Sequence, residues 1–575
     1  MLGWDVSRQL PGYARLRRYR RSWLRYDVLA GVTVAAYLIP QVMAYAEVAG
    51  LPPVVGLWAI VGPLLVYAVL GSSRQLSVGP ESTTALMTAA AVGSIAADDP
   101  ARYAAFAAAL ALVVGAWCVL GWVGRLGFLA DLLSKPVLVG YMAGIAAIMV
   151  ASQLGKLTGI DVDADSFTGE IAYVAGHLDE IHRPTLVLAA SVLALLLVGA
   201  HLLPRSPVPL VGMLLAAATV AVFDLESRGI AVVGEIPAGL PAPSLPSVTA
   251  GDVASMLLPA VGVAIVAYTD NALTARTFAA RNGYAIDANQ EFLALGAANL
   301  ASGVMQGFPV SSSGSRTVIG DSLGSRSQLY SLVALATVLL TLVFLRPVLA
   351  VFPAAALGAI VVYAAIRLVD IVEFRRIARF RRSELFLALA TTGAVLALDV
   401  LYGVLVAIGL SVLDLLRRVA RPHDGILGFA PGIAGMHDID DYPDARAVQG
   451  LVVYRYDSPL FFANVEDFKR RALASLDRAD APTEWFLLNA EANVQVDITA
   501  IDALEELRQE LDRRGIVFAM ARVKQDLHDE LHPSGFVDRV GEDRVFMTLP
   551  TAVLEYIRWY ENKHGEAPSG APPAA

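Results

Sequence analysis

Hydrophobic and polar positions divide the chain in two. From about residue 28 to about residue 420, apolar stretches of bilayer-spanning length alternate with short connections rich in Gly, Pro and Arg. About fourteen such segments start near residues 28, 54, 81, 103, 136, 184, 208, 255, 291, 315, 328, 353, 383 and 399. They predict an α-helical polytopic membrane protein. After Arg421 the charge density rises and the period changes. Strand-like runs at Leu451–Tyr456, Trp485–Asn489, Ile516–Val523 and Arg544–Leu549 alternate with helical patterns that include Ile498–Arg514 and Thr551–Asn562. The expected organisation is an amino-terminal arm (1–27), a membrane domain (28–425), a small cytoplasmic α/β domain (440–565) and a disordered Pro/Ala/Gly-rich tail (566–575).

Composition agrees with lipid as the solvent for most of the chain. Of 575 residues, 56% are hydrophobic and 17% charged, against about 25% charged in soluble domains. Mean hydropathy is +0.57. The 47 Gly and 30 Pro show no fixed period, and Cys118 is the single cysteine, so a collagen-like chain and a disulfide scaffold are excluded. A net charge of −9 gives no reason to expect nucleic acid as a partner.

Arg8, Arg15, Arg17, Arg18, Arg20, Arg21 and Arg25 precede the first apolar region without a small-residue cleavage site, so this stretch reads as a cytoplasmic arm rather than a signal peptide. The segment count can be checked by charge. With the amino terminus inside, the even-numbered exits carry Arg125 and Lys135, Arg205, Arg276 and Arg281, Arg326, then Arg375, Arg376, Arg379, Arg381 and Arg382. The odd exits are poor in Lys and Arg, and the longest, 156–183, holds Asp161, Asp163, Asp165, Glu170, Asp179 and Glu180. Both termini are therefore expected in the cytoplasm, and the protein in the plasma (inner) membrane.

Two segments depart from ordinary spanning helices. The third follows the extended run Arg74-Gln75-Leu76-Ser77-Val78-Gly79-Pro80 and becomes helical only at Glu81 and Ser82. The tenth follows Phe308-Pro309-Val310 and passes through Ser311, Ser312, Ser313, Gly314, Ser315 and Arg316. Each is the third element of its half. Interrupted segments in corresponding places of two seven-segment halves point to an inverted-repeat transporter with its site at the midplane. Two half-helices starting in mid-membrane aim unpaired N–H groups and positive dipole ends at one point, which is an anion site. Arg316 adds a positive charge with bidentate reach toward an oxyanion. Small residues also permit close helix packing, but the symmetric pair with an arginine favours the anion site.

These residues resemble a known family. Ala30-Gly31-Val32 through Ile39-Pro40-Gln41-Val42-Met43-Ala44-Tyr45-Ala46, with Gly50-Leu51-Pro52-Pro53-Val54-Val55-Gly56-Leu57, is similar to the first-span signature of the sulfate permease (SulP) anion transporters. Gly71–Pro80, Asp287-Ala288-Asn289-Gln290-Glu291 and Ser315-Arg316 continue the match, and the soluble tail resembles the STAS domain. The resemblance implies a seven-plus-seven inverted repeat, homodimers, and an elevator-like motion that carries sulfate, bicarbonate, chloride or a dicarboxylate. It places the anion between Gln41 and Tyr45 of span 1, the backbone after Pro80, and Ser315 with Arg316. It also puts Asp270 where the family often has an acid. Glu81 stands where many members carry an uncharged residue; it would compete with the anion, pair with Arg316, or carry a proton.

Asp270 and Thr274 are four apart on span 8 and share a face. A carboxylate with a hydroxyl suits Na⁺, and a carboxylate of raised pKa suits H⁺; an internal packing hydrogen bond is the plainer alternative. No phosphate-binding loop appears, so transport should be secondary, with H⁺ or Na⁺ as the coupling ion and no other cofactor. Gly320-Asp321-Ser322-Leu323-Gly324 imitates a nucleophile elbow but ends a membrane half-helix, and His528-Asp529-Glu530-Leu531-His532 imitates a zinc motif without its Glu. An enzyme is not expected. In the tail, Thr499 is a regulatory candidate: in bacterial STAS relatives a phosphorylated serine follows the aspartate, and here Ile498 stands after Asp497, with helix capping the simpler reading. A nucleobase permease of the same architecture, or a membrane-anchored signalling module recruiting a partner through its tail, are the competing functions.

Overall fold

The computed structural model describes residues 10–571 except 97–99, 129–133, 165, 203–206, 238 and 480. Arg8, Asp165, Arg205 and residues 572–575 lie outside the described residues. The chain forms two compact units, Met1–Ser411 and Val412–Ala575.

In the first unit the spans run Leu24–Val48 (1), Pro53–Leu70 (2), Ser82–Ala96 (3), Pro100–Val123 (4), Lys135–Ser152 (5), Arg183–Leu202 (6), Val208–Val222 (7), Ala250–Arg281 (8), Ala288–Val304 (9), Gly314–Ser322 (10), Leu329–Phe344 (11) and Ala354–Leu368 (12). A run from Arg382 to Ala420 follows. A methyl group on Gly403 would lie 2.6 Å from the Val395 Cα, whereas residues eight apart on a straight helix are about 12 Å apart. The run therefore folds back and supplies spans 13 and 14, as the segment count expects.

Among the described residues, seven helical stretches are long and apolar enough to cross a bilayer unaided. Span 10 is the extreme exception: its 9 residues reach about 14 Å, and extended backbone completes the crossing.

Packing repeats between the halves. Span 1 lies on span 11 as span 8 lies on span 4, and span 2 lies on span 11 as span 9 lies on span 4. With seven spans per half, that correspondence is an inverted repeat. Spans 1–4 and 8–11 make one bundle; spans 5, 6, 7 and 12 make a second, where a methyl group on Gly140 of span 5 would meet the Ala388 carbonyl of span 13 at 2.0 Å. Span 1 carries most of the packing between bundles, through spans 7 and 12.

The soluble unit has a six-stranded sheet in the order Met436–Asp438, Asp424–Phe429, Leu451–Tyr456, Trp485–Asn489, Val517–Ala521, Val545–Phe546. The first three strands pair antiparallel and the rest in parallel. Alternate residues of one strand enter different cores. Val452, Tyr454 and Tyr456 pack with helix Ile498–Arg513, and Leu451 and Val453 with helix Leu549–His564. Two boundaries differ from the sequence expectation. The sheet begins at Asp424, ahead of residue 440, because strand Asp424–Phe429 hydrogen-bonds to Leu451–Tyr456. The start of the expected disordered tail is docked: Gln449 N donates to the Ser569 carbonyl at 2.9 Å, and Ser569 Oγ donates to Gln449 Oε1 at 3.0 Å.

Candidate anion site

The two interrupted segments meet. Val78–Gly79 pairs antiparallel with Ser311–Ser312, and Ser313 N donates to the Ser77 carbonyl at 2.8 Å. Pro80 has no N–H to extend this ladder, so the strand stops and the span 3 helix begins at Ser82. On the other strand, Ser313 precedes the span 10 helix without a side-chain cap. The N–H groups that open that helix have no intrahelical acceptor. Gly314 is exposed, and a methyl group there would meet nothing within 4 Å, so the start of span 10 faces open space. Half-buried Ser315 lies beside the Tyr37 hydroxyl of span 1, and its Oγ is 3.2 Å from that of Ser313.

Arg316 is wholly buried behind this opening. Its Nη1 donates to Gln41 Oε1 at 3.1 Å and to the Pro80 carbonyl at 3.0 Å, and its Nε to Ser77 Oγ at 3.3 Å. Gln41 Nε2 in turn donates to the buried Tyr45 hydroxyl at 3.0 Å. One guanidinium thus ties spans 1, 3 and 10 together. The bidentate reach expected from the sequence is not available, because two of its three nitrogens are spent on protein acceptors. Nη2 alone is buried without an acceptor.

Glu81 caps the span 3 helix. Its Oε2 accepts from Thr83 N at 3.0 Å and from Ser82 Oγ at 2.6 Å, so a carboxylate already stands on one of the two helix starts. Glu81 lies within electrostatic range of Asp270, Tyr45 and Arg316 but makes no ion pair with Arg316. Asp270 Oδ2 accepts from Ser312 Oγ at 3.0 Å, and at 3.4 Å it shares the Ser311 hydroxyl proton with the Ala267 carbonyl, which is nearer at 2.9 Å. Thr274 makes no hydrogen bond to it among the described residues. Ser311 and Ser312, not Thr274, are the hydroxyl partners of Asp270, because the strand crosses span 8 at that level.

Ser77 and Tyr37 were not singled out from the sequence. Ser77 contacts Arg316 only through strand pairing between residues far apart in the chain, and Tyr37 sits within an apolar run. Glu291, noted only as part of the family match, is wholly buried and accepts from Tyr67 Oη, Asn271 Nδ2 and both N and Oγ of Ser72. The remaining candidates lie elsewhere. Ser322 Oγ donates to the Ile319 carbonyl at the end of span 10. In the soluble unit the His528 and His532 rings are 5.8 Å apart. Asp497 caps helix Ile498–Arg513 through Ala500 N, while Thr499 is exposed.

Residues 24–391 match the sulfate permease family and residues 442–552 the STAS domain. The chain belongs to the sulfate permease family. Across 548 residues it is 61% identical to a "Probable sulfate transporter" of Mycobacterium tuberculosis, covering 95% of this chain and 98% of that protein. It is 33% identical to chloroplastic sulfate transporter 4.1 of Arabidopsis thaliana, covering 97% of this chain and 85% of the plant protein. Among solved structures it resembles the murine Solute Carrier 26 family member A9 anion transporter, with TM-score 0.89 at 23% identity over 96% and 95% of the two chains. The transmembrane domain of the cyanobacterial bicarbonate transporter BicA gives TM-score 0.60 at 22% identity, covering 68% of this chain and 98% of that one. The family consists of transporters rather than enzymes, so neither enzyme-like string carries chemistry here.

Proposed function

We propose that this membrane protein is a secondary active, H⁺-coupled transporter of a small oxyanion, with sulfate the first candidate. The observation that carries this reading is the buried guanidinium of Arg316, with one unspent nitrogen, behind the start of the span 10 helix, which faces open space at Gly314. The anion is held by the N–H groups around Gly314 and Ser315 and by the field of Arg316. The names of the mycobacterial and plant relatives favour sulfate over bicarbonate or a dicarboxylate. Glu81 lies within electrostatic range of both Asp270 and Arg316, so an entering anion meets two carboxylates and is opposed unless one of them is neutralised. A proton serves better than Na⁺, because Thr274 does not join Asp270 as a ligand and the groups at Glu81 Oε2, Thr83 N and Ser82 Oγ, are hydrogen-bond donors rather than cation ligands. The bundle of spans 1–4 and 8–11 moves against the other in an elevator-like step, within a homodimer in the plasma membrane, with both termini cytoplasmic.

The test is uptake of radiolabelled sulfate, bicarbonate and fumarate into liposomes holding the pure protein, under separately imposed H⁺ and Na⁺ gradients. Sulfate accumulation driven by the H⁺ gradient is expected. Accumulation driven only by Na⁺ would reassign the coupling ion, and flux indifferent to both would make the protein an exchanger or uniporter.

A further inference from the structure

At the end of the first bundle where the amino-terminal arm meets the exit of span 2 lies a pair of arginines that anion transfer does not use. Helix Pro11–Arg17 packs on span 2 so closely that a methyl group on Gly12 would lie 2.3 Å from the Ala68 carbonyl oxygen. Only a glycine allows that approach. It brings Arg15 toward Arg74, in the extended run after span 2. The Arg74 guanidinium lies over the Tyr284 ring at 4.5 Å, and the Arg74 backbone N donates to Tyr284 Oη at 3.0 Å.

Both guanidiniums have unspent donors. Arg15 Nη1 and Arg74 Nε are buried and donate to nothing, and neither arginine forms an ion pair among the described residues. The acids of this end are committed elsewhere. Glu291 accepts from Tyr67, Ser72 and Asn271, Asp27 from Tyr19, Arg326 N and Ser327, and Asp321 pairs with Arg281. Burial, and then the positive charge of Arg74, hold Arg15 below its usual range. Two like charges with buried, unsatisfied N–H groups and no carboxylate are costly unless an anion joins them. Their forked donors match a tetrahedral oxyanion.

We propose that Arg15 and Arg74 form a second anion site, taking a phosphate-class oxyanion from an anionic lipid headgroup or from a free ion. It is separate from the transport site but linked to it: three residues after Arg74, Ser77 Oγ accepts from Arg316 Nε. An anion held there clamps the arm to the run that forms the strand of the transport site. The other arm arginines, Arg17, Arg18, Arg20, Arg21 and Arg25, add a positive field that draws anionic headgroups to it.

The experiment is hydrogen–deuterium exchange on the full-length protein in phosphatidylcholine nanodiscs, with and without phosphatidylglycerol, and separately with inorganic phosphate titrated into discs of phosphatidylcholine alone. Protection of residues 10–20 and 71–76 by phosphatidylglycerol alone assigns the site to a lipid headgroup; protection by inorganic phosphate assigns it to a free ion. In either case Arg15→Gln and Arg74→Gln should each weaken the protecting ligand about tenfold or more. Arg15 lies on the arm, outside the membrane bundle, so its variant remains informative should Arg74→Gln fail to fold. Neither ligand protecting these segments, or equal protection in Arg15→Gln, would overturn the proposal and leave the pair as packing around Tyr284.

Discussion

Arg316 shows why an arginine is needed where a positive charge alone is not enough. Its acceptors, Ser77 Oγ, Gln41 Oε1 and the Pro80 carbonyl, diverge around a planar fork, which a lysine ammonium cannot serve together. Arg316→Lys should therefore rescue little. Both it and Arg316→Ala are expected to weaken sulfate binding by about one to two decades, read as the dissociation constant of correctly folded protein. Normal affinity in either variant would remove Arg316 from the site. Glu81 gives a prediction with a definite sign. If H⁺ drives transport, uptake by the native protein should rise as the pH on the side of entry falls. Glu81→Gln keeps an oxygen for Thr83 N but cannot ionise, so its uptake should vary little with pH while anion binding persists. Uptake in Glu81→Gln with the native pH profile would assign the proton elsewhere, with Asp270 first. These charged groups were legible in the sequence because an ion inside an apolar segment is conspicuous. Ser77 was not, because its role arises from a strand pairing that spans more than two hundred residues of chain; nor was Tyr37, which sits within an apolar run, nor the serine partners of Asp270, 41 and 42 residues away on another segment.

At the scale of elements, the broken spans were legible because Gly79-Pro80 and the serine run interrupt helical periodicity. Their strand pairing was not, since two residues on each side leave no alternation to read. The same limit hid the opening strands of the soluble sheet. Met436–Asp438 has only 3 residues, and Asp424–Phe429 lies where the membrane pattern has just ended. Helix Ile498–Arg513 was plain from its period, and its start now has a specific holder. Asp497 Oδ1 accepts from Ala500 N and Oδ2 from Phe462 N, both at 2.8 Å, so one side chain caps the helix and fixes the loop beside it. Asp497→Ala should cost about 1–2 kcal/mol, seen as a lower denaturant midpoint for the soluble unit, whereas Thr499→Ala should leave the midpoint unchanged. An equal loss in both variants would give Thr499 a share of the capping and make its role structural rather than regulatory.

At the scale of the molecule, the mirrored packing of spans 1 on 11 and 8 on 4 expresses the inverted repeat that the two broken segments signal, but no local pattern tells which contacts must break during transport. One contact is placed to do so. Glu47, at the end of span 1, pairs with Lys156, in the short helix Leu154–Thr158 that follows span 5, at 3.0 Å. The pair joins the two bundles, and its side chains are 12% and 31% exposed, so water screens it only in part. Under an elevator-like displacement it would hold that end shut and part when the bundles slide. A partly buried pair worth about 1 kcal/mol shifts such an equilibrium several-fold. The only native thiol, Cys118, is buried, so a cysteine placed at the buried Gln153 beside the pair reports opening cleanly. Against Gln153→Cys alone, adding Glu47→Gln with Lys156→Gln should speed labelling by a membrane-impermeant thiol reagent several-fold. The swapped pair, Glu47→Lys with Lys156→Glu, should slow it again, because the attraction is restored with its signs exchanged. Labelling that ignores both changes would mean that the two bundles do not part at this end, and the displacement would then have to be sought along another seam of span 1.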